Sequence, residues 1–370
     1  MSSADPLSSV LVGDADRIFK ICNACRYCEG FCAVFPAMER RREFSPGDVG
    51  YLANLCHDCG DCYDSCQYAP PHDFNVNVPL LLATLRRESY QSFAWPGFLA
   101  RWLGRTSVAL ALGVLAIPTV FLIAASLWVE PAAFFSAHSV AEGSFYAIVP
   151  HAVMVSAFGA VGLFVCLALA LGFVAFWRHG GGDWSTLLFP PALGRAAWDA
   201  LRLKYLAGGG AGCAHPAETP SHARRWFHHL TFYGFALCFA ATTLAAIYHN
   251  ALGWRAPYPF WSLPVLLGSS GGVGLLIGPL GLLWLKRRRS RETTDESQTR
   301  MDIAFLVLLF ATSLSGMLLL FLRETAVMGF VLVVHLGIVM GLFLTLPYGK
   351  FVHGIFHFGA LVRYAREERR

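Results

Sequence analysis

Residues 21–36 read ICNACRYCEGFCAVFP, and residues 56–66 repeat the same cysteine spacing as CHDCGDCYDSC. Each run follows the pattern C-x2-C-x2-C-x3-C, and together the two runs hold eight of the 11 cysteines. The stretch before them is polar and does not have the apolar centre of a secretory signal peptide. A reducing, cytosolic location is therefore expected, and clustered thiols in such a location are typical of metal binding rather than of disulfides.

The spacing is that by which bacterial two-cluster ferredoxins hold 4Fe–4S clusters. Three thiolates on one tight loop reach three irons of a cluster, and the fourth cysteine reaches the other cluster. The sequence therefore predicts two 4Fe–4S clusters with crossed ligation. The ligands of the first are predicted to be Cys22, Cys25, Cys28 and Cys66, and those of the second Cys32, Cys56, Cys59 and Cys62.

Structural zinc is the alternative use of so many cysteines. A zinc site needs four thiolates per ion and usually takes them from two separated CxxC pairs, so four cysteines in a row favour iron–sulfur. Ala33 and Gln67 stand where the ferredoxin pattern has proline. This departure argues against a free-standing ferredoxin but leaves the ligand assignment unchanged.

The composition after about residue 105 is that of a membrane domain. Hydrophobic residues make up 55% of the chain and charged residues only 14%, against roughly 25% charged in soluble proteins. Apolar runs of this length match the thickness of a bilayer. Six spans are predicted, at 107–129, 146–177, 227–249, 262–285, 302–322 and 326–348.

The positive residues predict how these spans are oriented. Only two of the 29 Lys and Arg residues, Arg255 and Arg323, fall in the connections on one side. By the positive-inside rule, the cysteine-rich part and both termini face the cytoplasm. The localisation predicted is a multi-pass protein of a bacterial inner membrane. The net charge of +5 then reflects orientation in the lipid bilayer, and no nucleic-acid partner is expected.

The fold class predicted is mainly α: a two-cluster ferredoxin-like domain followed by a six-helix transmembrane bundle resembling a di-haem cytochrome b. The divisions expected are a flexible tail (1–15), the cluster domain (16–90), an interfacial linker helix (91–105), the membrane haem domain (106–350) and a basic cytoplasmic tail (351–370).

Histidines at the span ends predict haem in the membrane domain, because ionisable residues inside spans are costly and usually functional. His335 and His353 are 18 residues apart, which is five helical turns, so they share one face about 27 Å apart along the axis. One therefore lies near each membrane surface.

The predicted pairs are His228 or His229 with His353 at an inner b haem, and His249 with His335 at an outer one. The alternative is that these histidines lie at the membrane interface and bind no haem. His151 and His357 are predicted to be interfacial or surface residues of that kind. Glycines crowd the fourth span, where they allow close approach of either a neighbouring helix or a porphyrin edge.

Several motifs carry a family resemblance. ICNACRYCEGFCAVFPAM and YLANLCHDCGDCYDSCQYAPPHDFNVNVP, with HHLTFYGFALCF, GMLLLFLRETAVMG and LPYGKFVHG in the membrane part, resemble the tricarballylate/citrate utilisation protein B family. The likeness runs from about residue 16 to residue 366. The arrangement of the histidines is also similar to that of the di-haem γ subunit of respiratory nitrate reductases.

The resemblance implies an electron carrier that reoxidises the reduced flavin of a soluble FAD-dependent dehydrogenase, in that family tricarballylate dehydrogenase, and passes the electrons to the membrane quinone pool. Iron–sulfur clusters and b haem are the cofactors that it implies. Two alternatives stay open. One is a haem-free, membrane-anchored iron–sulfur redox sensor, and the other is a quinol-oxidising subunit that donates electrons to a cytoplasmic reductase.

Overall fold

The protein is helical almost throughout in the computed structural model, which describes residues 6–103, 105–138, 144–212 and 219–369. No β-strand occurs in these ranges. The helices of the cysteine-rich domain are α1 (Ser9–Cys25), α2 (Val34–Glu39), α3 (Pro46–Leu55), α4 (Asp61–Asp64) and α5 (Val78–Phe93). A short helix, α6 (Gly97–Leu103), connects them to the membrane part.

The membrane part begins with one helix that contains a π-helical turn. It consists of α7 (Thr106–Leu110), the π-helical turn Ala111–Ala116 and α8 (Ile117–Trp128). The helices that follow are α9 (Pro131–Phe134), α10 (Phe145–Ile148), α11 (His151–His179), α12 (Trp184–Leu187), α13 (Pro190–Leu201), α14 (Ala223–Leu252), α15 (Leu263–Arg288), α16 (Glu296–Leu322), α17 (Met328–Thr345) and α18 (Val352–Glu367).

Six of the described helices are long and apolar enough to cross a membrane, the number that the sequence predicts, and this is consistent with a multi-pass membrane protein. The fifth span starts earlier than predicted, at Glu296, because the Asp295 side chain caps its helix by accepting a hydrogen bond from the Gln298 amide. The candidate spans are Val108–Leu127, His151–His179, Ala223–Leu252, Leu263–Arg288, Glu296–Leu322 and Met328–Tyr348.

The glycines of the fourth span pack against a helix rather than standing open to a cofactor. A side-chain carbon added to Gly271 would lie 2.7 Å from the carbonyl oxygen of Gly234 on α14. One added to Gly278 would lie 2.5 Å from the hydroxyl of Thr231 on the same helix. The glycines therefore let α14 and α15 approach closely, as small residues do in membrane helix pairs.

Local signals explain how the helices around the cysteines begin. Ser45 caps α3 by accepting a hydrogen bond from the Asp48 amide, and Pro46 occupies its first turn. Asn77 caps α5 in the same way, through the Leu80 amide. Helix α3 ends directly before the second cysteine run, and α5 begins after it. The second cysteine run therefore lies between two helices with defined starts.

The prediction of a flexible tail over residues 1–15 was wrong for most of its length. Helix α1 already starts at Ser9, and Leu7 and Ala15 are buried in the same core as Phe19. Apolar residues in this stretch pack one face of the helix against the domain, which overrides the polar composition. Residues 1–5 of the predicted tail lie outside the described part of the chain.

The C-terminal segment is also not a tail. Helix α18 buries Leu361, Val362 and Ala365 in the core of the cysteine-rich domain. Its Arg363 lies over the ring of Tyr51, with 4.2 Å between the guanidinium carbon and the ring centroid. The prediction of a basic tail rested on the arginines of this segment, but its apolar residues form a buried face of α18.

Candidate redox centres

The first cysteine cavity lies where α1 ends. Arg26, in the left-handed conformation at φ 57°, terminates α1 directly after Cys25 and turns the chain into the cysteine loop. The cavity measures about 300 Å³ and is lined by Cys22, Cys25, Cys28 and Cys66 together with apolar side chains. The structure thus brings together the four cysteines that were predicted to share a cluster.

The second cavity adjoins the first and is narrower. Cys32, Cys56 and Cys59 line only this cavity, whereas Cys62, Phe35 and Val78 line both. The loop that carries Cys59 reverses sharply, with positive φ at Asp58 (58°) and Gly60 (96°). The second predicted group of four cysteines therefore surrounds one space as well.

The chemistry of the donors fits iron–sulfur clusters. Burial first, and repulsion from the neighbouring cysteines second, raise the pKa of the Cys22 and Cys28 thiols to about 12. Sulfurs crowded in this way become favourable as thiolates when a cationic metal centre binds them. The Asp58 amide also donates a hydrogen bond to Cys56 Sγ (3.2 Å), an interaction that stabilises a coordinated thiolate.

A single zinc ion fits less well. Across the described ranges, no three His, Cys, Asp or Glu side chains are grouped closely enough to hold one metal ion. The cysteines instead stand around their cavities, which suits a cubane with an iron at each of several corners. The fit therefore favours iron–sulfur over the zinc alternative.

A buried charged cluster surrounds the loop between Cys56 and Cys59. The Asp58 carboxylate accepts hydrogen bonds from both terminal nitrogens of Arg289, at 2.6 and 2.8 Å. Arg86 lies 3.7 Å from the same carboxylate and donates to the carbonyl oxygen of Cys56 (2.8 Å). Burial would raise the pKa of Asp58, but the two guanidiniums outweigh it and hold that pKa well below its usual value.

Sequence analysis did not find this cluster. Asp58 and Arg289 are 231 positions apart, and Arg289 lies in an arginine run that looks like an ordinary cytoplasmic loop. The signal that could have drawn attention to it is Asp58 itself, an acidic residue placed between two predicted cluster ligands.

Histidines meet the second cavity at the membrane border. The ring of His57, which lines that cavity, lies 4.2 Å from the ring of His357 and 6.5 Å from that of His353, centroid to centroid. Burial, and then the proximity of His357 and His228, lower the pKa of His57 well below its usual value. The lowered pKa favours the neutral form of the His57 ring, which is the form in which imidazole binds metal.

One of these histidines differs from its prediction, and another was not predicted to have a role. His357 was predicted at a surface or interface, but it is only 7% exposed and its Nδ1 lies 2.8 Å from the carbonyl oxygen of Asn54. Four ring nitrogens here are buried without a hydrogen-bond partner: Nε2 of His357, Nδ1 of His353, Nδ1 of His228 and Nε2 of His229. The His229 ring also lies near Trp226 and Tyr233. The predicted inner group is thus joined by His57 and His357, which sequence reasoning missed.

The two predicted outer histidines have separate surroundings. His335 Nδ1 lies 2.9 Å from the hydroxyl of Ser315, and Gly316 leaves room for its ring. His249 stacks on His151, with 3.7 Å between ring centroids, and its Nδ1 lies 3.3 Å from the Tyr146 hydroxyl. The pairing of His249 with His335 stays a prediction.

Comparison with known proteins agrees with this architecture. The family model for citrate utilization protein B matches residues 104–370. The model for the Fer4-like domain of the same protein matches residues 15–92. The chain belongs to the citrate utilization protein B family. A citrate utilization protein B from Escherichia coli is 47% identical over 363 residues, covering 96% of this chain and 93% of its own.

Membership of the citrate utilization protein B family assigns a Fer4-like character to the domain that holds both cysteine cavities. Such a domain, together with the clustered cysteines, indicates iron–sulfur binding. No solved structure matches the chain.

Proposed function

We propose that this protein is a membrane electron carrier that reoxidises the reduced flavin of a soluble FAD-dependent dehydrogenase and delivers the electrons to membrane quinone. The observation that carries the proposal is the continuity from the first cysteine cavity to the second, and from there through His57 to the histidines at the membrane border. The names of the matching family and its Escherichia coli member point to tricarboxylate use, and tricarballylate is the partner dehydrogenase's proposed substrate.

The residues have distinct roles in this proposal. The two groups of four cysteines hold two 4Fe–4S clusters, which supply one-electron carriage when bound. Cys62 and Phe35 line both cavities, so they keep the two clusters adjacent.

Histidines would hold b haem in the membrane half. At the inner position the candidates are His228 or His229 with His353, and each of these three rings has a buried nitrogen without a hydrogen-bond partner in the protein. At the outer position the candidates are His249 and His335. Ser315, within hydrogen-bond distance of His335 Nδ1, suits the usual arrangement in which a ligating imidazole is oriented through its second nitrogen.

The proposed setting is a bacterial inner membrane with both termini in the cytoplasm. Lys286, Arg287, Arg288 and Arg289 at the end of α15 lie on the side of the cysteine-rich domain, as the positive-inside rule requires of a cytoplasmic face. A soluble dehydrogenase can then approach the exposed edge of the first cavity, where Tyr27 is 68% exposed.

The first test is a reduced-minus-oxidised optical spectrum of the purified full-length protein, with iron, sulfide and haem analysis. The expected result is two 4Fe–4S clusters and two b haems per chain. Clusters without haem would contradict the carrier and favour the redox sensor. With both cofactors present, the protein should couple the purified dehydrogenase to quinone reduction. Reduction of the haems by quinol, with no reduction by the dehydrogenase, would favour the reverse direction.

A further inference from the structure

The surroundings of the two cysteine cavities differ in charge. Around the second cavity, Arg86 and Arg289 have side chains only 1% and 6% exposed, and Arg224 donates a hydrogen bond to the carbonyl oxygen of His57 (3.0 Å). These three guanidiniums outnumber the two buried carboxylates of this cysteine run, Asp58 and Asp61, each 6% exposed. The loop between Cys56 and Cys59 therefore carries a surplus of buried positive charge.

The compensation of Arg86 is particularly incomplete. Its Nε and Nη2 are buried without a hydrogen-bond partner, and the Asp58 oxygen nearest to it lies 3.7 Å away. An arginine keeps its charge in any protein environment. Because the side chain is buried, that charge acts on its neighbours with less screening than it would have in water.

Asp58 is the one charged side chain that lines the second cavity, and Arg86 and Arg289 lie next to its carboxylate, whereas no charged side chain lines the first cavity. Its lining is made of cysteines, aromatic and aliphatic side chains, Ser65 and Gln67. The charged residues of its loop, Arg26 and Glu29, are exposed and of opposite sign. Tyr27, on the same loop, is open to the solvent.

We infer that Arg86 and Arg289 hold the reduction potential of the cluster at Cys32, Cys56, Cys59 and Cys62 above that of the other cluster, so that electrons enter at the exposed cavity and move toward the membrane. The inference deepens the proposed function and rests on it. Buried positive charge stabilises the added electron on the nearer cluster, and net charge and burial are established determinants of cluster potential.

The transfer itself is a simple exchange. The cysteines of the first cavity would hold the one-electron donor, and those of the second cavity would hold the acceptor. Such an exchange forms or breaks no bond and moves no proton, so the fixed charges of Arg86 and Arg289 would act on it directly. Arg289 comes from the end of α15, and the bias therefore exists only while the membrane half is docked on the cysteine-rich domain.

The test is a redox titration of the full-length protein in detergent, followed by the electron paramagnetic resonance of both clusters. Arg289→Gln should lower the potential of one cluster and leave the other unchanged. The expected change is at least tenfold in the equilibrium constant between the two clusters, which is about 59 mV for a one-electron couple. Arg289→Lys, which keeps the charge, should restore most of the difference.

Two further variants control the assignment. Arg288→Gln removes the same charge from an exposed side chain that lies over Trp284, and it should move neither potential. Cys25→Ser alters only the first cavity and so identifies which signal belongs to which cluster.

Equal potentials in the unmodified protein, a higher potential in the first cavity, or equal shifts with Arg288→Gln would overturn the inference while leaving the carrier function intact. Absence of both cluster signals would instead refute the proposed function. If Arg289→Gln does not yield folded protein, the order of the two potentials in the unmodified chain still decides the question.

Discussion

Replacing Asp58 by Asn removes the carboxylate that lies between Arg86 and Arg289 while keeping nearly the same shape. In the native structure both terminal nitrogens of Arg289 bind this carboxylate, and Gln298 Nε2 lies 3.4 Å from it. The change leaves two buried guanidiniums facing each other without an anion between them. We expect the cysteine-rich domain and the α15–α16 loop to lose much of their attachment.

The size of the effect follows from the burial of the partners. Removing one member of a buried ion pair costs about 3–5 kcal/mol, because the remaining charge stays out of water. The exposed ion pair between Asp16 and Lys20, at 2.7 Å, provides a matched control. Asp16→Asn makes the same chemical change there and should cost less than about 1 kcal/mol.

The assay is denaturant unfolding in detergent, read through the visible absorbance of the clusters, with hydrogen exchange at residues 289–298 as a local probe. Asp58→Asn should lower the unfolding midpoint strongly and increase exchange in that loop. Combining it with Arg289→Gln should recover part of the loss, because one of the two uncompensated charges disappears. A cost for Asp58→Asn no larger than that for Asp16→Asn would refute the reasoning.

The same carboxylate predicts a pH dependence. The folded-state pKa of Asp58 lies well below its ordinary value, since the two guanidiniums outweigh burial. A depressed pKa means that the stabilisation is complete above the unfolded pKa of about 3.9 and is lost as the pH falls below it. The junction should therefore hold through the neutral range and loosen only in acid, and Asp58→Asn should remove this acid sensitivity from the hydrogen exchange of the loop.

Three further changes test other parts of the structure. Gly278→Ala should destabilise the α14–α15 pair by about 1–3 kcal/mol, because the new carbon would meet Thr231. Gly268→Ala is the control and should be tolerated, because the nearest atom to its new carbon is 3.6 Å away. Thermal unfolding in detergent measures the difference between the two variants. His335→Ala should remove one of two b haems in a pyridine haemochrome assay, and an unchanged haem count would contradict its role as a ligand. Glu367→Gln weakens the pairing with Arg41 and should cost about 1.5–3 kcal/mol in unfolding, with no change in haem content.

Features written in short stretches of sequence could be predicted. The cysteine spacing predicts two groups of four cysteines, and the structure places these two groups around two adjacent cavities. Apolar length predicts the spans directly, because a bilayer imposes one dimension on every helix that crosses it. Helix starts such as Glu296 shifted by a few residues, since a cap is decided by a single side chain.

Features that depend on distant parts of the chain could not be predicted. His57 looks like a spacer between Cys56 and Cys59, and its significance appears only when the fold brings His357 to 4.2 Å from it. Likewise Arg289 is one of several consecutive basic residues, and only its burial beside Asp58 distinguishes it from exposed Arg288. No local pattern encodes these contacts, because they are set by how two domains dock.

The docking of the two domains also bears on how the protein should be divided. The two matched family segments meet between residues 92 and 104, which suggests a soluble module joined to a membrane module. The fold does not respect that boundary, because α18 supplies Leu361 and Val362 to the core that contains Phe19 and the cysteine loops. A cysteine-rich domain cut at residue 92 would lack this part of its core as well as Arg289. The surroundings of the cysteine cavities are therefore a property of the whole chain, because one core and one buried ion pair join the two matched segments.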